Sequence, residues 1–229
     1  MSVHLRRRTV SVLMVLAGLM FAAGSCAEFP GSQTVDIEGV RIRYVDHPAT
    51  TPSAPTVVLL HGASYNVEIW EKTKTYEALE AIGGRVVALD LPGYGHSDDW
   101  RNDSGEFLRL FLDAVGVNSA ILVSPSMSGR FSLPFVRAHS DRVLGYVPVA
   151  PTQIDEFVAG GPEPVKSLVV VGSEDVNVSV EQSQSLATML GGELWVIEGA
   201  GHACYEEQPE MFNERLVKFV RSVQATPTS

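Results

Sequence analysis

The stretch Ala120-Ile121-Leu122-Val123-Ser124-Pro125-Ser126-Met127-Ser128-Gly129 joins a short apolar run to a cluster of small residues. Four apolar residues in a row suit a strand buried on both faces of a parallel sheet. The Ser/Pro/Gly cluster predicts a sharp turn into a helix over 128–139. A side chain at the apex of such a strand–turn–helix stands clear above the sheet, where a nucleophile is exposed to its target. Ser126 occupies that apex. The turn has room only for small residues two before and two after it, and Ser124 and Ser128 fill those places. The same serines also read as a plain helix N-cap, because a hydroxyl there accepts a backbone N–H. The turn alone does not decide the chemistry.

Three other apolar runs end in residues that complement a serine nucleophile. Leu59-Leu60-His61-Gly62-Ala63 ends an earlier run. A loop there turns a backbone N–H toward a reacting carbonyl, so the N–H groups of Ala63 and Met127 are the expected oxyanion hole. His61 is expected to brace this loop rather than act as a base. Glu198-Gly199-Ala200-Gly201-His202 follows the last apolar run, 76 residues past Ser126. Its glycines let the loop carry His202 back over the sheet as the base. Val169-Val170-Val171-Gly172-Ser173-Glu174-Asp175 places Asp175 just past a strand end, between the two in chain order. A carboxylate there holds the imidazole tautomer and stabilises its cation. Glu174 and Asp155 are the rivals for that role.

Working outward, strands are expected at 34–37, 41–45, 56–60, 85–91, 120–124, 144–149, 167–171 and 193–197. Helices are expected at 69–82, 104–114, 128–139, 179–190 and 209–223. Phe212, Leu216, Phe219 and Val220 make an apolar stripe on the last. Strand–helix alternation implies an α/β sheet covered on both faces. The first two strands flank Glu38-Gly39, a turn signal that predicts an antiparallel hairpin at one edge. Residues 48–55 read as a surface connection within one domain, and 225–229 as a frayed tail. Gly93-Tyr94-Gly95 lacks the third glycine of a dinucleotide fingerprint. His96 beside it reads as structural. No acidic or histidine cluster has metal spacing, so neither cofactor nor metal is expected.

These strand-end signals together resemble the α/β-hydrolase superfamily, over nearly the whole chain after the leader. Ser124-Pro125-Ser126-Met127-Ser128-Gly129, Ser132-Leu133-Pro134-Phe135, Val147-Pro148-Val149-Ala150-Pro151 and Gly199-Ala200-Gly201-His202-Ala203-Cys204-Tyr205 are similar to the α/β hydrolase domain-containing protein 14 family. A Ser-x-Ser-x-Ser elbow is normal there. The resemblance implies a mostly parallel eight-stranded sheet with helices on both faces, nucleophile Ser126, acid Asp175 and base His202. It also implies hydrolysis of small acyl esters, or acyl transfer from related donors. Val176 departs from the pattern, since a proline commonly follows the acid. Only 17 residues separate Val149 from Ser167, where many relatives insert a cap. Little or no cap, and an open site for a small or exposed acyl group, is the expectation.

The chain has 229 residues, 17 Lys+Arg against 27 Asp+Glu, and 45% hydrophobic residues. That is a globular balance, and its acidity argues against nucleic-acid binding. Arg6-Arg7-Arg8 precede a 14-residue apolar run, 10–23, shorter than the ~20 residues of a membrane-spanning helix. Basic residues, a short apolar run and small residues predict a signal peptide over 1–27, with the hydrolase domain at 28–229. Cleavage before Glu28 competes with an imperfect lipobox, Ala23-Gly24-Ser25-Cys26, which would lipidate Cys26 and tether the protein to a membrane. An extracytoplasmic enzyme, periplasmic or secreted, follows. Without residues 1–27, 14 basic residues face 27 acidic ones, a formal charge of −13. Cys26 and Cys204 are the two cysteines, so no disulfide framework is expected. The partner expected is a small-molecule ester, with an acyl acceptor other than water as an option. A serine aminopeptidase and a non-catalytic binding protein of the same fold are the competing readings.

Overall fold

The computed structural model describes Phe29 and residues 31–161 and 163–224. The expected leader, its Cys26 and the tail lie outside these residues. Strands β1 (Ser32–Ile37), β2 (Val40–His47), β3 (Val57–Leu59), β4 (Val86–Leu89), β5 (Ala120–Pro125), β6 (Val143–Val149), β7 (Leu168–Gly172) and β8 (Glu193–Ile197) form one sheet. Their order is β1-β2-β4-β3-β5-β6-β7-β8. β2 runs antiparallel to β1 and β4, and all other neighbours are parallel. The expected strands 56–60 and 85–91 are shorter than the apolar runs suggest. Leu60 and Leu91 are buried but lie beyond the ladders.

The hairpin forms where Glu38-Gly39 predicts it. Glu38 and Gly39 have φ of +52° and +85°, as a two-residue turn of the twisted hairpin type demands. Asp36 Oδ1 accepts the Gly39 N–H at 2.9 Å and closes the turn.

Alternate residues of the central strands face opposite layers, as strand geometry dictates. Val58, Val87, Leu122, Val169 and Val171 pack under α3 (Ser104–Ala114), α4 (Gly129–Ala138), α5 (Ile154–Ala159) and α6 (Val180–Leu190). Val57, Leu59, Val86, Ile121, Val123 and Val170 pack under α1 (Ile69–Lys72), α2 (Thr75–Glu80), α7 (Cys204–Glu207) and α8 (Pro209–Gln224). Trp70, fully buried, packs at a tilt against Tyr205 in this second layer, their ring centres 5.2 Å apart. Among the described residues no helix is long and apolar enough to cross a membrane.

The helix expected over 69–82 is two pieces. Lys74 sits in the left-handed region at φ +57° and separates α1 from α2. Asn213 of α8 stabilises the break from outside: its Nδ2 donates to the Thr73 carbonyl at 2.7 Å, and its Oδ1 accepts from Thr75 Oγ1 at 2.8 Å. The connection after β6, expected as a loop with a short turn, contains the six-residue α5. Ile154 and Phe157 bury into the sheet layer. Arg137 of α4 lies 4.3 Å over the Phe157 ring and donates to the Phe157 carbonyl at 2.6 Å. This folds α5 down onto α4, so the segment builds no cap.

The strand order positions the site. From β3 the chain steps outward to β4, then returns to place β5 on the other side of β3. The loops after β3 and β5 therefore leave in opposite directions and open a crevice at their carboxyl ends, the usual ligand position in such sheets.

Candidate active site

Ser126 follows β5 at that crevice. Its φ is +50°, a left-handed conformation that costs a non-glycine residue about 1–2 kcal/mol. Close packing enforces it. A Cβ on Gly129 would lie 2.6 Å from the Thr152 carbonyl oxygen and 2.8 Å from Pro151 Cβ. Thr152 N–H donates to the Ser126 carbonyl at 2.9 Å, so the turn after β6 grips the apex. Ser124 and Ser128 at the flanking positions are fully buried. They are small enough for the elbow, and their hydroxyls are hydrogen-bonded to each other at 2.9 Å.

The structure brings Ser126, His202 and Asp175 into one hydrogen-bonded line. Ser126 Oγ lies 2.8 Å from His202 Nε2, and His202 Nδ1 lies 2.8 Å from Asp175 Oδ2. A carboxylate can only accept, so Nδ1 carries the imidazole proton and Nε2 is the acceptor for the serine hydroxyl. The Asp175 side chain is fully buried, while His202 retains 29% exposure toward the crevice. Asp175 Oδ1 accepts the N–H groups of Asn177 and Val178 at 2.8 and 3.0 Å. This turn, made by the carboxylate itself, orients the Asp175 side chain without a proline. Val176, at the expected proline position, is 94% exposed. Of the rivals, Glu174 points to solvent, and Asp155 lies in the first turn of α5 within 3.4 Å of Gln182 Nε2.

Glycine brings the Asp175 and His202 loops together. A Cβ on Gly172, the last residue of β7, would overlap the carbonyl oxygens of Ala200 and Gly201. Glu174 N–H donates to the Ala200 carbonyl at 2.9 Å, and Glu207 Oε2 accepts the Gly201 N–H at 2.8 Å. The backbone just before His202 is thus tied down twice, once to the Asp175 loop and once to the Glu207 side chain.

Ala63 stands in the turn after β3. Gly62 beside it packs against the elbow: a Cβ there would be in ordinary van der Waals contact with Ser126 Cβ, at 3.7 Å. Met127 follows Ser126 in a single 3-10 turn, 126–128. His61 braces this loop. Leu91 N–H donates to its Nε2 at 2.9 Å, which leaves the proton on Nδ1 for the Gly62 carbonyl at 2.8 Å. Burial pushes its pKa down, which favours this neutral form. Below it Asp90, fully buried, accepts the N–H groups of Val67 and His96 at 2.9 and 2.8 Å and pairs with Arg43. His96 contributes only its backbone here, and its side chain is exposed.

Sequence reasoning missed a second link across the site. Tyr65 OH donates to Glu206 Oε2 at 2.6 Å, and Lys72 Nζ donates to Glu206 Oε1 at 2.5 Å. These bonds join the Ala63 loop and the end of α1 to α7, the helix after His202. Glu206 lies 141 residues from Tyr65 and 134 from Lys72, and no local pattern couples them. Burial, then the Glu206 contact, pushes the Tyr65 phenol up to about 12. Cys204 is buried, and burial pushes its thiol to about 12. It is a packed thiol at neutral pH, not a nucleophile.

A cleft of about 410 Å³ opens at His202 between Thr152, Gln153, Asp155, Glu156 and Val178. A larger groove of about 780 Å³, between Arg41, Glu68 and Asp98 on the hairpin side, contains none of the three aligned residues. Size does not mark the site here; the hydrogen-bonded line does. Among the described residues no group of three or more His, Cys, Asp or Glu side chains is placed to hold a metal.

A family model described as alpha/beta hydrolase fold matches residues 55–163. The chain is 32% identical over 201 residues to a Homo sapiens protein named "Putative protein-lysine deacylase ABHD14B", covering 83% of this chain and 95% of that one. The chain belongs to the ABHD14 family of α/β hydrolases. Protein ABHD14A of Danio rerio is 34% identical over 171 residues, which are 72% of this chain and 63% of its own length, less than two thirds. A solved structure described as a predicted CIB-like hydrolase from Thermoplasma acidophilum superposes with a TM-score of 0.78 at 29% identity, over 83% of this ABHD14-family chain and 97% of that one. An esterase from Thermogutta terrifontis, 18% identical with a TM-score of 0.72, shares the fold over 84% of this chain and all of its own.

Proposed function

We propose that this ABHD14-family chain is a serine hydrolase that cleaves small acyl esters, or transfers their acyl group, through an acyl-enzyme. The line from Ser126 through His202 to Asp175, two bonds of 2.8 Å, carries the reading. His202 Nε2 takes the Ser126 proton as Oγ attacks the acyl carbonyl. Asp175 stabilises the imidazolium so formed. The N–H groups of Met127 and Ala63 hold the oxyanion; one such donor typically contributes about 2.7–4 kcal/mol. The imidazolium then protonates the leaving group. Water, or another acceptor, enters with His202 as its base and releases the acyl group.

A second reading concerns the leaving group. Among the described residues Asp155 and Glu156 line the cleft, and neither Lys nor Arg does. The ABHD14B relatives are named for deacylation of protein lysine. Both support an amine-bound acyl group as an alternative donor. The acidic cleft and acidic chain support no nucleic-acid partner.

A fluorophosphonate probe tests the core of the reading: the wild type is labelled, and Ser126→Ala is not. Persistent labelling in Ser126→Ala assigns the wrong nucleophile. A panel of p-nitrophenyl esters, acyl-lysine peptides and aminoacyl anilides, with the same variant as control, separates the esterase, deacylase and aminopeptidase readings. A wild type that takes no label and turns over no substrate supports a non-catalytic binding protein instead. The proposal extends to an exported enzyme, free or lipidated at Cys26. Mass spectrometry of the mature N-terminus decides, and an intact Met1 in the mature chain sinks export by cleavage.

A further inference from the structure

Four buried hydroxyls surround the elbow. Ser124 is the penultimate residue of β5, Ser128 closes the 3-10 turn, Ser132 is on α4 and Tyr146 is on β6; all four are fully buried. Ser128 Oγ lies 2.7 Å from the Pro125 carbonyl oxygen, 2.9 Å from Ser124 Oγ, and Ser124 Oγ lies 2.6 Å from Ser132 Oγ. Ser132 Oγ lies 2.8 Å from Tyr146 OH.

One proton per hydroxyl fixes the direction of every bond. A carbonyl only accepts, so Ser128 gives its proton to Pro125. Ser124 must then donate to Ser128, Ser132 to Ser124, and Tyr146 to Ser132. No reversed arrangement satisfies all four contacts. Burial raises the Tyr146 phenol well above its ordinary range, so the donor at the head of the chain keeps its proton at any working pH. Aligned hydroxyls polarise one another, and each bond strengthens the next.

The chain ends on the peptide group that joins Pro125 to Ser126, whose φ is +50°. The carbonyl belongs to Pro125 and the N–H to Ser126, so fixing the carbonyl fixes the plane from which the strained residue departs. Glycine at 124 and 128 would relieve steric crowding but would hold nothing. We infer that Tyr146, Ser132, Ser124 and Ser128 are positioning residues for Ser126: a one-way hydroxyl chain, headed by Tyr146, that sets the elbow where glycines would leave it loose. This inference rests on the reading of Ser126 as nucleophile.

Its signature is non-additivity, because a chain cut at one link is insensitive to a cut at another. The experiment measures kinact/KI for a fluorophosphonate and Tm on wild type, Tyr146→Phe, Ser124→Gly/Ser128→Gly and the triple variant. Tyr146→Phe removes one hydroxyl and keeps the ring. It is expected to slow labelling about tenfold, roughly one buried hydrogen bond, mainly through kinact. In the double-glycine background the same change is expected to move kinact/KI less than twofold. If Tyr146→Phe does not fold, Ser132→Ala cuts the chain one link further on and replaces it. Labelling at the wild-type rate in Tyr146→Phe overturns the inference. So does an equal loss in both backgrounds, which means packing rather than the chain. A wild type that takes no label, or a Ser126→Ala variant that still does, overturns the nucleophile assignment itself and the chain's catalytic role with it.

Discussion

Asp175 spends each carboxylate oxygen differently. Oδ1 is committed to two backbone N–H groups and Oδ2 to His202. Asn at this position keeps an acceptor for the backbone and turns its NH₂ toward Nδ1. The imidazole is then forced into the tautomer whose Nε2 carries the proton, useless as a base for Ser126. Asp175→Asn is expected to lower the deacylation-competent turnover on the order of 10³–10⁴-fold with little change in Tm; a loss below tenfold in a p-nitrophenyl ester assay removes Asp175 from the mechanism. His61 makes the opposite prediction, on stability. Its folded pKa is depressed by burial, while the unfolded imidazole titrates near about 6.5. Below that pH the unfolded chain binds the proton that the native chain refuses. The stability due to neutral His61 is full above about 6.5 and falls as pH drops, at up to about 1.4 kcal/mol per pH unit. Tm is expected to decline between pH 7 and 5, and His61→Gln to flatten that decline; an unchanged slope in the variant contradicts the assignment.

At the scale of elements, the strands that carry the site were legible because their apolar runs are continuous and end in Gly, Ser or His. β5, β7 and β8 fall within a residue or two of their expected bounds, and Ser126, Asp175 and His202 sit just past their ends. What local pattern does not carry is any feature stabilised from a distance. The break between α1 and α2 is held by Asn213, 138 residues beyond Thr75; the periodicity of 69–82 alone is compatible with one helix. α5 was hidden for a related reason, since its six residues become helical by packing Phe157 beneath Arg137. The hydroxyl chain needs β6 beside β5 before Tyr146 meets the serines. Gly172 is where close element packing becomes function. Gly172→Ala forces β7 away from the Ala200–Gly201 backbone, and with it Asp175 from His202. It is expected to reduce fluorophosphonate labelling by tenfold or more, since small displacements of a catalytic group are costly. Wild-type labelling in this variant shows that the two loops tolerate separation.

For the molecule as a whole, the decisive feature is what the β6–β7 connection leaves out. With α5 folded down on α4, the 410 Å³ cleft at His202 opens directly to solvent. Nothing in the described residues shields a long acyl chain from water. Short-chain esters are therefore expected to outrun long-chain ones, and triglyceride emulsions to give no interfacial activation. A rate that jumps above the solubility limit of the substrate refutes the open-site picture. The chain's net charge of −10 acts at the same scale. It repels anionic donors from the crevice, so the rate on an anionic ester is expected to rise with ionic strength as that repulsion is screened.

The packing of Trp70 against Tyr205 gives the protein an optical property. Tyr205 lies three residues after His202, and its ring is 5.2 Å from an indole fully shielded from solvent. Shielded indoles emit at shorter wavelength than wet ones, and an aromatic neighbour modulates their yield. The His202 loop therefore packs, through Tyr205, against a built-in fluorophore on α1. A movement of the His202 loop that displaces Tyr205 is expected to change the blue edge of the emission spectrum, where the partly exposed Trp100 and Trp195 contribute less. Stopped-flow emission would time the movement of the base without an added label. Trp70→Phe is expected to erase that signal.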